Sequence, residues 1–99
     1  AAHDWLMVLG RKTAEERVAS LLYVMVTRAP IATACTNTRD RVPCFEIGMK
    51  REEMATFLGL TYETVIRQLR SLNNRGIIAL IGRRRFQVPD LQALQFAAG

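Results

Sequence analysis

Glu63 and Arg67 stand four positions apart in the segment GLTYETVIRQL, which runs from Gly59 to Leu69. Their types suit the recognition of flat, polar edges. A guanidinium presents its donors as a rigid fork, which matches paired acceptors such as O6 and N7 of guanine. A carboxylate accepts from an amine such as N4 of cytosine. Tyr62 and Ile66 flank the two charges, and an isoleucine can pack on a thymine methyl. A plainer role is also open to the pair. On a helix, Glu and Arg at i and i+4 form an exposed ion pair worth about 0.2–0.5 kcal/mol. The two roles are compatible, with Glu63 holding Arg67 extended until a partner shares it.

Which role applies depends on the helix that carries them. Thr61 is a good N-cap, and the pattern predicts a helix from there to about Asn74. At about 100° per residue, Val65, Leu69 and Leu72 cluster within roughly 60° and form the core stripe. Glu63, Arg67, Arg70 and Asn74 cluster within roughly 60° on the opposite side. Tyr62 and Ile66 lie on the flank between. The pair therefore points away from the core, near the helix N-terminus.

A shorter helix is predicted just before, over Lys50 to Leu58, with Met54, Phe57 and Leu58 as its apolar face. Gly59 stops it at a position that favours positive φ. The small Ala55 lets the second helix cross close to the first, and Leu60 plugs the core under the turn. Two helices joined this tightly form a helix-turn-helix, whose second helix presents its N-terminal residues to the DNA major groove.

The flanking segments supply the rest of a domain. Thr13-Ala14-Glu15-Glu16 is a capping box at the start of a helix. Ala14, Val18, Leu21, Leu22, Met25 and Val26 form its stripe, and it should end before Pro30. Ala29 to Arg41 is expected to be a long polar loop. Val42 to Ile47 suggests a strand, placed at a sheet edge because Pro43 cannot donate to a ladder. Ile77 to Ile81 and Arg85 to Val88 suggest two strands around Gly82-Arg83-Arg84. Pro89-Asp90 opens a last short helix, with Leu91, Leu94 and Phe96 inward. The fold class is therefore α+β: a winged helix-turn-helix with three main helices, a small antiparallel sheet and a short C-terminal helix.

Cations sit where a phosphate backbone would run. Lys50 and Arg51 open the first helix of the motif, Thr61 opens the second, and Arg70 follows on its outer face. Such N-termini offer backbone N–H groups to anions. Arg83 and Arg84 occupy the tip of the hairpin. Phosphate contacts of this kind fix register, whereas base contacts carry sequence information.

Composition agrees with a polyanionic partner. The 99-residue chain carries a net charge of +5, and its pI near 10.0 favours nucleic acid. With 49% hydrophobic residues it is globular and not disordered. No apolar run approaches the roughly 20 residues of a membrane span. The start AAHDWLMVLGRK places its charge after the apolar run, unlike a secretion signal. His3 is the single histidine, so zinc lacks ligands and an enzyme active site lacks its usual groups. Cys35 and Cys44 are expected to be free thiols in a reducing cytoplasm, a redox-sensing pair being the lesser alternative.

Residues Leu9–Leu22 (LGRKTAEERVASLL) and Arg51–Ile78 (REEMATFLGLTYETVIRQLRSLNNRGII) resemble the Crp/Fnr family of bacterial transcription regulators. The likeness extends over nearly the whole chain, and the ending DLQALQFAAG is similar to Fnr-type ends. The most specific part is the pattern E-T-[VI]-x-R, matched by Glu63, Thr64, Val65 and Arg67. The resemblance implies that Glu63 and Arg67 read the G·C pair of a palindromic TTGAT-like half-site. Fnr-type members carry Ser where this chain has Ile66, so the family pattern supplies no base preference there. Lys50 replaces the usual Ser or Thr before the first helix.

The resemblance also implies an organisation. Residues 1–9 would be the stub of a dimerisation helix and hinge, and residues 10–99 the winged-helix DNA-binding domain. Full-length members are homodimers with a separate sensor domain, so the fragment itself is expected to be monomeric. Any cyclic nucleotide, iron–sulfur cluster or haem would belong to that other domain, and no cofactor is expected here. RNA polymerase is a further expected partner, with Ala29 to Arg41 placed to meet it. The rival from another class is a winged helix used only for protein–protein contacts. It would not need both the Glu63/Arg67 face and an arginine-rich wing.

Overall fold

The fold is given by a computed structural model, described here for residues 13–28, 33–34 and 43–99. The expected stub at residues 1–9, most of the loop from Ala29 to Arg41, and Cys35 lie outside the described residues. The elements are α1 (Ala14–Arg28), β1 (Thr33–Ala34), β2 (Pro43–Glu46), α2 (Arg51–Leu58), α3 (Tyr62–Asn74), β3 (Ala79–Ile81), β4 (Arg85–Gln87) and α4 (Leu91–Ala98). Together they make a winged helix-turn-helix.

Helix α1 begins as its capping box requires. The Thr13 backbone N–H donates to Glu16 Oε1 at 2.9 Å, and the Glu16 N–H donates to Thr13 Oγ1 at 3.2 Å. The helix ends at Arg28, two residues before Pro30. Val18, Ala19, Leu21 and Leu22 are buried, so the stripe is centred on the middle of the helix. Ser20 is buried beside them. Its hydroxyl donates to the Ala98 carbonyl at 3.2 Å, which docks the end of α4 on α1.

The sheet has four antiparallel strands in the order β1-β2-β4-β3. This corrects two expectations. The polar loop contains a strand, β1, which pairs with β2 through Thr33↔Cys44 and Ala34↔Pro43. Strand β2 is therefore internal and not an edge. Pro43 is tolerated because it is the first residue of β2 and lies outside the ladder with β4, which begins at Cys44↔Gln87. Phe45 and Phe86 face each other across β2 and β4, with ring centroids 5.8 Å apart. Phe86 is fully buried and joins the sheet to the helical core.

The free-thiol expectation fails as well, because Cys44 is disulfide-bonded. Cys44 lies opposite Thr33 in the β1–β2 ladder.

Three apolar side chains also face outward against expectation. Phe57 keeps 46% of its surface exposed, and the small Ala55 takes its place in the core. In α4, Leu94 and Ala98 form the buried line one turn apart. Phe96 lies about 200° around the helix from Leu94 and is accordingly 89% exposed. Leu91, the first residue of the helix, is 42% exposed.

Candidate nucleic-acid interface

The site is built on the turn between α2 and α3. Gly59 adopts φ 68° and ψ 34°, a left-handed conformation that side chains with a Cβ disfavour. The Leu60 N–H donates to the Ala55 carbonyl at 2.9 Å, and the Gly59 N–H to that of Thr56 at 3.4 Å. Leu60 is half-buried against the core. Thr61 then turns the chain into α3, its Oγ1 accepting from the Thr64 N–H at 3.2 Å. The two threonine hydroxyls also bond to each other at 2.7 Å.

Helix α3 separates two faces. Val65, Leu69 and Leu72 are buried, whereas Glu63, Arg67, Arg70 and Asn74 are exposed, as the sequence pattern predicts. Tyr62 is 49% exposed and Ile66 half-buried on the flank. Tyr62, Glu63, Ile66, Arg67, Arg70 and Asn74 line one open concave surface, together with Ser71 and Arg75. All four expected base-reading residues thus share one surface with Arg70.

The plainer role of Glu63 and Arg67 is not taken up. Among the described residues the ion pair joins Arg75 to Glu15, not Arg67 to Glu63. Both side chains therefore remain available to an outside partner. The Arg75–Glu15 contact links the end of α3 to the first turn of α1. Sequence periodicity gives no sign of it, because the two residues are 60 positions apart.

The expected phosphate contacts fall into two groups. Lys50, Arg51 and Thr61 surround the starts of α2 and α3. Lys50 has no acceptor with which to cap α2. Glu53 compensates in part, its Oε1 accepting the Lys50 backbone N–H at 2.9 Å. Arg51 is half-buried, and burial pushes its guanidinium down from the ordinary value, an effect opposed by the neighbouring Tyr62 phenol. The first residues of α2 and α3 are thus close in space. Arg83 and Arg84 form the second group, exposed on the turn between β3 and β4 and absent from the α3 surface. The Ile47 N–H donates to the Arg84 carbonyl at 2.7 Å and ties that turn to the end of β2.

Two further polar ties have no counterpart in the sequence pattern. Arg17 Nη1 donates to the Leu58 carbonyl at 3.1 Å, and the Leu80 N–H donates to Asn73 Oδ1 at 2.8 Å. The first joins α1 to the turn; the second joins α3 to β3. Among the described residues no three His, Cys, Asp or Glu side chains gather as a metal site. None of the described helices is long and apolar enough to cross a membrane.

Residues 16–97 match the Crp-like helix-turn-helix domain. A probable transcriptional activator of Rhizobium leguminosarum bv. viciae is 43% identical over 95 residues, covering 96% of this chain and 37% of that protein. The transcriptional activator protein FnrL of Cereibacter sphaeroides is 43% identical over 99 residues, covering 100% of this chain and 39% of FnrL. In structure the chain is similar to FixK2 of Bradyrhizobium japonicum, with a TM-score of 0.80 and 34% identity, over 98% of this chain and 44% of that one. The chain belongs to the Crp-like helix-turn-helix family, the DNA-binding domains of Crp/Fnr-type transcription regulators, and not to a class of enzymes. It spans about two fifths of the length of these curated relatives.

Proposed function

We propose that this domain binds double-stranded DNA sequence-specifically by placing the N-terminal half of α3 in the major groove. The observation that carries this is the outward Glu63 and Arg67, opposite the buried stripe of α3 and not paired with each other. Arg67 donates to guanine O6 and N7, and Glu63 accepts from cytosine N4. Ile66 and Tyr62 contact the neighbouring bases. Lys50, Arg51, Thr61 and Arg70 grip phosphates around the groove, and Arg83 and Arg84 grip them from the wing. The half-site is TTGAT-like and belongs to a palindrome read by a homodimer of the full-length protein.

In that protein, residues 1–9 end a dimerisation helix and residues 10–99 form the DNA-binding domain. The protein regulates transcription in the cytoplasm and contacts RNA polymerase through the segment from Ala29 to Arg41. The transcriptional activators among its relatives support the regulatory role. No cofactor is assigned to these 99 residues.

Selection of bound duplexes from a random pool tests the proposal. The expected product is enriched in TTG-type half-sites. The affinity of the isolated chain is expected to be weak, because one half-site offers few contacts. It should fall steeply with salt, with a log–log slope of about −0.9 per neutralised phosphate. A pool without enrichment, together with a flat salt response, would instead support a module for protein contacts.

A further inference from the structure

The geometry points to Arg17 as a positioning residue for DNA reading: from α1 it fixes the turn that aims α3. The inference rests on the proposed DNA-reading role of α3. It starts from the carbonyls at the end of α2, which no helical N–H can satisfy. The left-handed turn at Gly59 deals with two of them, since Leu60 takes Ala55 and Gly59 takes Thr56. The Leu58 carbonyl, next to the glycine, is taken by Arg17, 41 residues earlier in the chain. A cation at this end of a helix also meets the negative pole of its dipole.

The guanidinium lies against the turn itself. A Cβ added at Gly59 would stand 3.7 Å from Arg17 Nη1. Arg17 is half-buried there, so its bond is shielded from competing water. From the same turn of α1, Glu15 pairs with Arg75, the C-cap of α3. One turn of α1 thus holds the protein both before and after the reading helix. The Glu15–Arg75 pair is exposed and contributes little by itself. Arg17 is the stronger tie, and it acts through Leu58 and Gly59 without touching DNA.

The test compares Arg17→Met and Arg17→Lys with the unaltered chain. Methionine keeps much of the apolar stem and removes the donors; lysine keeps a cationic donor. Folding is checked by circular dichroism. Affinity is then measured for the duplex selected by the unaltered chain and for a scrambled duplex, across a salt series. Arg17→Met should lose about tenfold in discrimination, the scale of one charge-assisted hydrogen bond. Its salt slope should stay unchanged, and Arg17→Lys should regain most of the discrimination.

Full discrimination in folded Arg17→Met would overturn the assignment. Equal weakening on both duplexes with a shallower salt slope would overturn it too, by making Arg17 a phosphate contact. Should Arg17→Met fail to fold, Arg17→Leu, shorter and likewise without a donor, takes its place with the same expected loss, and full discrimination there would be equally adverse. An unaltered chain that prefers no duplex would overturn both the DNA-reading role and this inference. A selective unaltered chain with an equally selective variant overturns this inference alone.

Discussion

The Asn73 side-chain oxygen accepts the Leu80 backbone N–H at 2.8 Å, binding the last turn of α3 to strand β3. Asn73 shares its helix with Arg67, and Leu80 lies on the hairpin that carries Arg83 and Arg84. This one bond therefore helps set the wing relative to α3. Asn73→Ala leaves the half-buried N–H of Leu80 without its acceptor, at a cost of about 1–3 kcal/mol. Urea denaturation should show that loss, and Asn73→Asp, which keeps an acceptor, should recover part of it. An unchanged midpoint in Asn73→Ala would mean that solvent replaces the bond.

Arg67→Ala should weaken binding to the selected duplex by about 1–3 kcal/mol and remove preference at one base pair. Glu63→Ala should blur the same base pair. Because the two do not pair with each other, each substitution should leave stability within about 0.5 kcal/mol. Uniform weakening across all sequences would reduce Arg67 to a phosphate contact.

Neutralising Arg83 and Arg84 together addresses the wing. Binding should weaken for every duplex alike, and the log–log salt slope should become shallower by about 0.9 for each phosphate the wing no longer neutralises. An effect confined to one base identity would contradict a backbone role. Their exposure implies little change in thermal stability.

Gly59→Ala forces a Cβ into a left-handed residue with φ 68° and should cost about 1–2 kcal/mol. The added Cβ meets nothing closer than Arg17 Nη1 at 3.7 Å, so the penalty is conformational and not a clash. Asn, which tolerates this region better, should be milder in a thermal melt. Equal melting temperatures for Gly59 and Ala would show that the turn relaxes.

The helices were legible because each carries its own signals. Thr13 and Glu16 announce α1, Gly59 and Thr61 bracket the turn, and the stripe of Val65, Leu69 and Leu72 orients α3. The outward face of Glu63 and Arg67 follows from that stripe alone. What stayed hidden depends on residues far apart in sequence. Strand β1 is two residues long and gains its identity from pairing with β2, so nothing local marks Thr33 and Ala34. The internal place of β2 was hidden with it. Arg17, Glu15 and Asn73 are ordinary polar residues until the folded chain brings Leu58, Arg75 and Leu80 to them. Phe57 and Phe96 mislead in the opposite sense: their hydrophobicity suggests burial, while the geometry of their helices turns them out.

The separation of the two faces of α3 has an evolutionary consequence. Val65, Leu69 and Leu72 hold the helix in place, while Glu63 and Arg67 are exposed and take no part in an ion pair among the described residues. Exchanges at those outward positions can accumulate without crossing a folding threshold. Operator preference in such a lineage is therefore free to drift while the scaffold stays the same.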